Sequence, residues 1–333
     1  MSNSSADTLE RKGKVSKIIS AGKKIVHFMN PVSGSSRYYA STRKAVDELG
    51  GQIVVSEHSG QITELIMDAL EKDPATHAVV YGGDGTVFEA VNGIMLSGAA
   101  DTATLSVIPS GSGNDFSSFA NDPATLSHGE SVKIDLVKTT CGGKVRYFDN
   151  MMNIGFDCSV VYETEKIRAG GVIKGSAAYM AGVAKVLGAK KPIHPTITLS
   201  GCVDTATGNP IDDVTFSKEL LLTACANGKL CGGGFKAAPL AKLTDGLMDV
   251  LVISNISRVK FVSLVKDYHD GTFINEKGQL KPRFKDVITY VKCRKMEISG
   301  IERFCLDGEI FSVPAGEPLV AEIVPAAINF RAI

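Results

Sequence analysis

Three short loops rich in glycine and serine contain the residue types in this 333-residue sequence that could bind phosphate. They occupy residues 30–35, 82–86 and 109–116, and each follows a short apolar segment. Glycine lets a ligand approach the backbone closely, and the amides at the start of a helix attract phosphate. Asp84, in the second loop, would repel a phosphate unless Mg²⁺ lay between them. Together the loops predict a site for a nucleotide or another phosphorylated ligand.

Other nucleotide-binding signatures are absent from the sequence. It has no GxxxxGK[ST] motif, no GxGxxG motif with an acidic residue about 20 positions later, and no HRD and DFG pair. These absences exclude the P-loop, dinucleotide-binding and protein kinase classes. The second loop also has a structural alternative, a tight turn in which Asp84 caps the helix that follows.

Alternating strand and helix signals place these loops at one edge of a sheet. Strands separated by segments of helix length predict βαβ units and a mainly parallel, three-layer sheet, in which ligands bind at the carboxyl ends of the strands. The strand-like segments are residues 24–29, 52–56, 77–81 and 104–109, and the helix-like segments are residues 37–50, 63–72 and 87–96.

From about residue 132 the pattern changes to strands with few helices between them. This pattern predicts a mostly antiparallel, β-sandwich-like second domain, with helices expected only near residues 171–189 and 258–269. The strand-like segments are residues 131–139, 144–156, 194–203, 219–227, 247–254, 291–300 and 317–324.

Composition sets limits on the function. Hydrophobic residues make up 44% of the chain, and 36 basic residues balance 36 acidic ones, so we expect two globular domains and no nucleic-acid partner. The sequence has no apolar segment long enough to span a membrane and no signal peptide, so we expect a soluble, cytoplasmic protein. The expected divisions are a polar extension (1–20), a nucleotide-binding α/β domain (21–138) and a β-rich domain (139–317), which the resemblance described next implies to be the lipid-substrate domain.

In combination, the motifs resemble those of the diacylglycerol kinase catalytic-domain family, and most of all its bacterial soluble lipid kinases. The three loops appear in order, and further motifs follow in the second half. The residues that carry the resemblance are Asn30-Pro31-x-Ser33-Gly34, Gly82-Gly83-Asp84-Gly85-Thr86 with Glu89, Asn92 and Gly93, Pro109-x-Gly111-Ser112-x-Asn114-Asp115-Phe116, Ala226-Asn227-Gly228, Gly232-Gly233-Gly234, Ala238-Pro239, Asp245-Gly246-Leu247 and Leu306-Asp307-Gly308-Glu309.

The resemblance implies an ATP-dependent lipid kinase that phosphorylates diacylglycerol to phosphatidic acid. ATP would lie across the three loops in an interdomain cleft, with Mg²⁺ between Asp84 and the triphosphate, and residues 318–333 would return to the first domain. Ser56 and Ser112 stand where such proteins usually have threonine. The implied nucleotide-binding residues are Asn30, Pro31, Val32, Ser33, Gly34, Ser56, Gly82, Gly83, Asp84, Gly85, Thr86, Glu89, Gly111, Ser112, Gly113, Asn114 and Glu309.

The resemblance also gives roles to two further aspartates. Asp307 would be the catalytic base, and Asp84 would be a second catalytic residue. Glu309 would be a further carboxylate that contacts the metal or the nucleotide. The alternative for Asp307 is an Asp-Gly hairpin turn without a catalytic role. Asp245 would hold a structural Mg²⁺ with the backbone carbonyls of Lys242 and Leu247, the alternative being an exposed turn.

Two basic segments could dock on a membrane. Residues 166–191 contain six cations and no acid, and residues 281–295 contain six cations against one aspartate. Such surfaces bind anionic lipid headgroups, so we expect peripheral association with the inner face of the membrane; the alternative is a solvated charged face. The cations are Lys166, Arg168, Lys174, Lys185, Lys190, Lys191, Lys281, Arg283, Lys285, Lys292, Arg294 and Lys295.

Some alternatives stay open. The substrate could be a sphingoid base, ceramide or another lipid. The Gly-Gly-Asp-Gly loop also occurs in NAD kinases and phosphofructokinases, and a catalytically silent lipid-binding module is a third interpretation. The oligomeric state is open, and a homodimer is one alternative.

Overall fold

A computed structural model describes residues 24–34, 36–170, 175–189 and 192–333. The polar extension at residues 1–20 and three of the predicted membrane-facing lysines, Lys174, Lys190 and Lys191, lie outside the described residues. The described residues divide into two compact units, one from residue 24 to residue 136 with 325–333, and the other from residue 137 to residue 324.

The strands and the helices of the described residues are each numbered in chain order. The strands are β1 (Ile25–Met29), β2 (Gln52–Val55), β3 (His77–Gly82), β4 (Thr104–Pro109), β5 (Ser131–Cys141), β6 (Lys144–Phe148), β7 (Met151–Gly155), β8 (Thr196–Ser200), β9 (Val214–Ser217), β10 (Leu220–Ala226), β11 (Met248–Ser254), β12 (Ile288–Cys293), β13 (Lys295–Ser299), β14 (Arg303–Leu306), β15 (Glu309–Ser312) and β16 (Leu319–Arg331). The helices are α1 (Ser36–Glu48), α2 (Gln61–Lys72), α3 (Asp84–Ser97), α4 (Asp115–Ala120), α5 (Phe156–Ala169), α6 (Gly175–Ala189) and α7 (Arg258–Asp270).

The first unit is a parallel sheet in the order β2-β1-β3-β4, as the alternating pattern predicts. Every residue of β3 is buried, which is typical of a parallel strand with covered faces. Helix α2 buries Ile62, Ile66 and Leu70, spaced four residues apart on one helix face. Because all four strands run the same way, the loops after β1, β3 and β4 leave the sheet at the same edge.

The end of the chain belongs to the first unit. Asn329 and Phe330 of β16 pair in parallel with β4, so the last strand extends the sheet beside the third loop's strand. The carboxylate of Asp135 accepts the backbone N–H of Ala326 at 2.8 Å, which fixes the start of this segment.

The second unit is mostly antiparallel, and this part of the predicted fold class is also confirmed. Its main sheet has the order β12-β11-β10-β7-β14-β15, and β13 pairs antiparallel with both β8 and the first residues of β16. A large apolar core includes residues of β10, β11, β12 and helices α5 and α7, and side chains of α6 pack against it. No helix in the described ranges is long and apolar enough to cross a membrane.

Two predicted strands are each divided in the structure, the strand predicted at 317–324 continues to Arg331, and helix α5 lies where no helix was predicted. Residues 144–156 form two strands, β6 and β7, separated at Asp149 and Asn150, because the backbone amides of these residues bond to a distant carboxylate rather than to a neighbouring strand. Residues 291–300 likewise divide at Arg294 into β12 and β13, which pair in different sheets.

Candidate active site

The second and third loops touch through their glycines. A Cβ atom added to Gly83 would lie 2.9 Å from Cα of Gly111, and one added to Gly111 would lie 2.4 Å from Cα of Gly83. Neither distance leaves room for a side chain. Glycine at both positions therefore lets the two loops approach at backbone distance.

The first loop joins both of the others. Gly34 has φ +79°, and a Cβ there would lie 2.2 Å from the carbonyl oxygen of Ser110, so both conformation and space require glycine. The hydroxyl of Ser110 donates to that of Ser33 at 3.2 Å, and Nδ2 of Asn30 donates to Oγ1 of Thr86 at 3.2 Å. The three predicted loops thus form one connected surface in the first unit.

Asp84 reaches across to the third loop. Its Oδ1 accepts the backbone N–H of Phe116 at 3.2 Å, in the first turn of α4. The predicted alternative, in which Asp84 caps its own helix, is wrong, because the residue before α3 is Gly83 and Asp84 lies within the helix. The carboxylate instead satisfies amides that the start of α4 leaves without helical partners.

A second carboxylate, Asp115, lies near Asp84. A Cβ added to Gly113 would be 2.8 Å from Oδ2 of Asp84 and 3.8 Å from Oδ2 of Asp115, so both side chains converge on this glycine. Burial raises the pKa of Asp84, and hydrogen bonds from the amides of residues 114–116 oppose that shift without cancelling it. In the described ranges no three His, Cys, Asp or Glu side chains cluster tightly enough to hold a metal by themselves. Two carboxylates completed by phosphate oxygens do fit the manner in which Mg²⁺ is usually held.

Asn114 organises the third loop from within. It has a left-handed backbone with φ +59°, its Oδ1 accepts the N–H of Gly111 at 2.8 Å, and its Nδ2 donates to the carbonyl of Gly111 at 2.8 Å. This closed pair of bonds sets the path of the loop between Gly111 and α4.

Glu89 caps a neighbouring helix. Its Oε1 accepts the N–H of Gly60 at 2.8 Å and its Oε2 that of Ile62 at 3.1 Å, at the start of α2. Both carboxylate oxygens have amide donors, so the structure explains this residue as a helix cap. Its nucleotide contact stays a prediction.

The remaining predicted nucleotide residues differ in exposure. Ser56 is buried, and its backbone N–H donates to the carbonyl of Met29. Val32 is 86% exposed and Ser112 is exposed, so both could meet a ligand. The partly exposed members of the set are Asn30, Pro31, Ser33, Gly83, Asp84, Gly85, Glu89, Gly111, Gly113 and Asn114; Gly34 is exposed, and Gly82 and Thr86 are buried.

Asp307, in the second unit, is both a turn residue and a buried carboxylate. Asp307 and Gly308, with φ +48° and +95°, join β14 to β15 in a two-residue hairpin, as the alternative interpretation predicted. The side chain does not face solvent as it would in an ordinary turn, since Asp307 is only 6% exposed.

Three backbone amides hold the Asp307 carboxylate. Oδ1 accepts the N–H of Met151 at 2.7 Å and that of Asn150 at 3.2 Å, and Oδ2 accepts that of Asp149 at 3.1 Å. Successive amides arranged in this way form a site for an anion. Glu309 follows the turn and is exposed.

Asparagines support the segment that binds Asp307, and sequence reasoning gave them no such role. Nδ2 of Asn227 donates to the carbonyl of Asp149 at 2.8 Å, and Nδ2 of Asn150 donates to that of Leu230 at 2.8 Å. The amides of Asn227 and Gly228 both donate to the carbonyl of Asn150. The signal in the sequence was the polar Asp149-Asn150 pair inside an otherwise strand-like run.

The residues predicted to hold a structural Mg²⁺ do not fit a metal site. The ammonium of Lys292 lies 2.8 Å from Oδ2 of Asp245, where a cation would bind, and Oδ1 of Asp245 accepts the N–H of Leu247 at 3.2 Å. The contact of Leu247 with Asp245 is through its N–H and not through the predicted carbonyl. Burial lowers the pKa of Lys292, but the adjacent carboxylates outweigh burial and leave it raised, so this cation is permanent near neutral pH.

Most of the predicted basic surface at residues 281–295 is ion-paired. Lys281 and Arg283 both bond to the buried carboxylate of Asp267, and Lys295 lies 3.4 Å from Glu322. Lys292 is 8% exposed, so its placement on a docking surface was wrong. Within the described residues, Lys285 and Arg294 are the cations of this segment for which no carboxylate lies within ion-pair distance.

The segment 166–189 retains more of its predicted character. Lys185 bonds to Glu163 at 2.5 Å, and the ammonium of Lys166 lies over the ring of Tyr162. Both lysines and Arg168 are exposed, and Met180 on α6 is 62% exposed. An apolar residue among exposed cations is the composition of a surface that can meet a bilayer.

An apolar recess lies beside α7. Its volume is only about 20 Å³, and it is lined by Ile253, Ile256, Phe261, Leu264, Val265, Tyr268, Phe284, Val287 and Ile288. The hydroxyl of Tyr268 donates to Asp157 at 2.8 Å at the start of α5, and burial raises the pKa of Asp157 to about 6. Sequence reasoning missed Asp157, which stands alone in an apolar run.

Two family models together match nearly all of the described chain. Residues 24–150 match the diacylglycerol kinase catalytic domain, and residues 150–332 match the YegS C-terminal NAD kinase beta sandwich-like domain. A "Probable lipid kinase YegS-like" protein of Shewanella frigidimarina is 30% identical over 70% of this chain and 74% of its own. One of the same name from Pectobacterium atrosepticum is 26% identical over 90% and 94% of the two chains.

A solved structure shares the fold. The crystal structure of a diacylglycerol kinase from Bacillus anthracis superposes with a TM-score of 0.61, covering 93% of this chain and 97% of that one, at 20% sequence identity.

Proposed function

The chain belongs to the diacylglycerol kinase catalytic-domain family in its YegS-like form, and from this membership we propose that it phosphorylates diacylglycerol to phosphatidic acid with ATP and Mg²⁺. It is a lipid kinase, and ATP is its phosphoryl donor. The proposal has four structural parts: the nucleotide-binding loops, the carboxylates near them, the catalytic base and the membrane-binding surface.

The observation that carries the proposal is the mutual contact of the three loops after β1, β3 and β4. Their glycines bring backbone amides together without intervening side chains, and Asp84 holds the start of α4 against the second loop. Phosphoryl transfer depends mainly on positioning and charge neutralisation of the triphosphate, which this surface can supply. We place the ATP phosphates over Gly83 and Gly111.

The carboxylates of Asp84 and Asp115 are the residues we propose for Mg²⁺. Their convergence on Gly113 gives two hard oxygen donors within the nucleotide surface. Bound there, the ion would neutralise charge on the phosphate oxygens. Asp84 also keeps α4 in place through Phe116, so the same residue couples the second loop to the third.

We propose Asp307 as the proton acceptor for the lipid hydroxyl. A general base must be held in one orientation, and the amides of residues 149–151 do this for Asp307. The proton would pass from the attacking hydroxyl to a carboxylate oxygen as the new P–O bond forms. Because the hairpin turn is fixed, the carboxylate of Asp307 stays in place, and the lipid must bind with its hydroxyl beside it.

We propose that an anionic membrane surface is the partner of the α6 region. Lys166, Arg168 and Lys185 changed together to Glu should release the protein from vesicles containing phosphatidylglycerol in a sedimentation assay. The matched control changes three exposed lysines outside the segment, Lys144, Lys218 and Lys277, to Glu, which alters the net charge equally. An equal loss of vesicle binding in both variants would show only a general effect of net charge. Unchanged vesicle binding in both would refute the α6 region as the membrane-binding surface.

A lipid panel tests the substrate. Transfer of ³²P from [γ-³²P]ATP is measured with diacylglycerol, monoacylglycerol, sphingosine, ceramide and phosphatidylglycerol in mixed micelles. The expected result is the highest kcat/KM for diacylglycerol, with turnover abolished by EDTA and restored by Mg²⁺. A preference for sphingosine or ceramide would overturn diacylglycerol as the proposed substrate and would leave the assignment of a lipid kinase unchanged.

A further inference from the structure

Asp245, Asp249 and Lys292 form a mostly buried cluster of charged side chains in the second unit. Asp249 and Lys292 are direct partners across β11 and β12, and the lysine ammonium lies 2.8 Å from a carboxylate oxygen of each aspartate. The side chain of Asp249 is 1% exposed and that of Lys292 is 10% exposed. One cation therefore serves two carboxylates.

Each carboxylate oxygen of the pair has a hydrogen-bond donor. Lys292 donates to Oδ2 of both aspartates, Leu247 donates its N–H to Oδ1 of Asp245, and Tyr290 donates its hydroxyl to Oδ1 of Asp249 at 2.7 Å. A divalent cation would have to displace the ammonium and take the same oxygens. The like charges of ammonium and metal ion exclude simultaneous occupation.

We propose that Lys292 is the resident cation of this site, so that the ammonium neutralises Asp245 and Asp249 and the site takes no divalent metal. The ammonium of Lys292 thereby joins the loop that contains Asp245 to β11 and β12. The fold of this region does not depend on Mg²⁺ concentration, and metal dependence of the protein arises elsewhere.

Removing the ammonium should turn the cluster into a divalent cation site. Lys292→Met leaves two carboxylates without a counter-charge, and breaking a buried pair in this way is strongly destabilising. We expect the Tm of this variant to fall by about 6–10 °C in EDTA and to recover at least about half of that loss in 10 mM Ca²⁺ or Mg²⁺. Asp245→Asn added to Lys292→Met should abolish the recovery.

The unmodified protein gives a test that needs no Lys292 variant to fold. Its Tm is measured by differential scanning fluorimetry in EDTA, Mg²⁺ and Ca²⁺ without nucleotide, beside Asp245→Asn. The proposal predicts the same response to cations in both proteins, because Asp245 binds none. A cation-dependent rise in Tm that Asp245→Asn removes would overturn it, and so would a metal ion retained by the wild-type protein but not by Asp245→Asn after dialysis.

Discussion

The carboxylate of Asp307 accepts the backbone N–H of Met151 at 2.7 Å, although the two residues are 156 positions apart in the sequence. The bond is reciprocated, because the N–H of Asp307 donates to the carbonyl of Met151 at 3.0 Å. Side chain and backbone of one turn residue are thus fixed to the start of β7. This double attachment places a rigid carboxylate at the end of a hairpin, as a positioned base requires.

The glycine contact between the loops can be tested at Gly83. The Cβ of Gly83→Ala would lie 2.9 Å from Cα of Gly111, and such overpacking lowers the free energy of unfolding by about 1–3 kcal/mol. We expect a lower free energy of unfolding and a Kd for ATP raised at least about tenfold, since the loops must separate. Calorimetric titration with ATP measures the second effect.

The control for that variant is Gly188→Ala on α6, where an added Cβ meets nothing within 4 Å and φ is not positive. It should leave ATP affinity unchanged. Equal ATP affinity in Gly83→Ala and the wild-type protein would show that the loop contact does not shape the nucleotide site.

The helix cap at Glu89 predicts an effect on stability. Glu89→Ala removes the acceptor for two amides at the start of α2, and loss of a cap costs about 1–2 kcal/mol. Chemical denaturation should show this loss, whereas Glu71→Ala, exposed at the other end of the same helix, should show none. We expect the Kd for ATP to stay within about threefold of wild type, a change below about 0.7 kcal/mol. A much larger rise would establish that Glu89 also contacts the nucleotide.

Asp157 predicts a dependence of stability on pH. Burial raises its pKa from 3.8 to about 6, so between these values the folded protein binds more protons than the unfolded chain, and the stability from this group is lost as pH rises. Asp157→Asn cannot ionise. Denaturation curves from pH 4 to 8 should show the variant gaining stability relative to wild type up to about pH 6 and a constant difference above about pH 7. Parallel curves across this range would mean that Asp157 titrates normally.

The proposed metal carboxylates predict a shift in Mg²⁺ requirement. Asp115→Asn removes one of two charges near Gly113, so the Mg²⁺ concentration for half-maximal activity should rise at least about fivefold, which corresponds to about 1 kcal/mol. The control is Asp122→Asn, an exposed aspartate two residues after α4. If Asp115→Asn alters kcat and leaves the Mg²⁺ requirement unchanged, the assignment of this carboxylate is wrong.

Sequence patterns predicted the first unit well because its signals are local. The apolar runs that become β1, β3 and β4 and the glycines after them lie within short windows, and parallel connection alone brings the loops to one edge. The break at Asp149 and Asn150 had no such local cause. It depends on amides directed to Asp307, whose position in the sequence gives no sign of that contact.

Charge was the property that sequence reasoning judged least well. Lys292 looked like part of a basic surface because its partners, Asp245 and Asp249, precede it by 47 and 43 positions. Pairing across β11 and β12 buries Asp249 and Lys292, and Asp245, in the loop before β11, is half-buried beside them. A run of cations in a strand-rich segment therefore says little about surface charge until the cross-strand neighbours are known.

The most direct test of the proposed function compares wild-type protein with Asp307→Asn in the transfer of ³²P from ATP to diacylglycerol. Asparagine keeps the side-chain size and one oxygen for the amides of residues 149–151, but it cannot accept the proton. We expect kcat to fall at least about 100-fold while the Kd for ATP changes little. The Tm should fall by only a few degrees, because the asparagine NH2 group leaves at least one of the three backbone amides without an acceptor. A variant that phosphorylates diacylglycerol at the wild-type rate would contradict the assignment of Asp307 as the base.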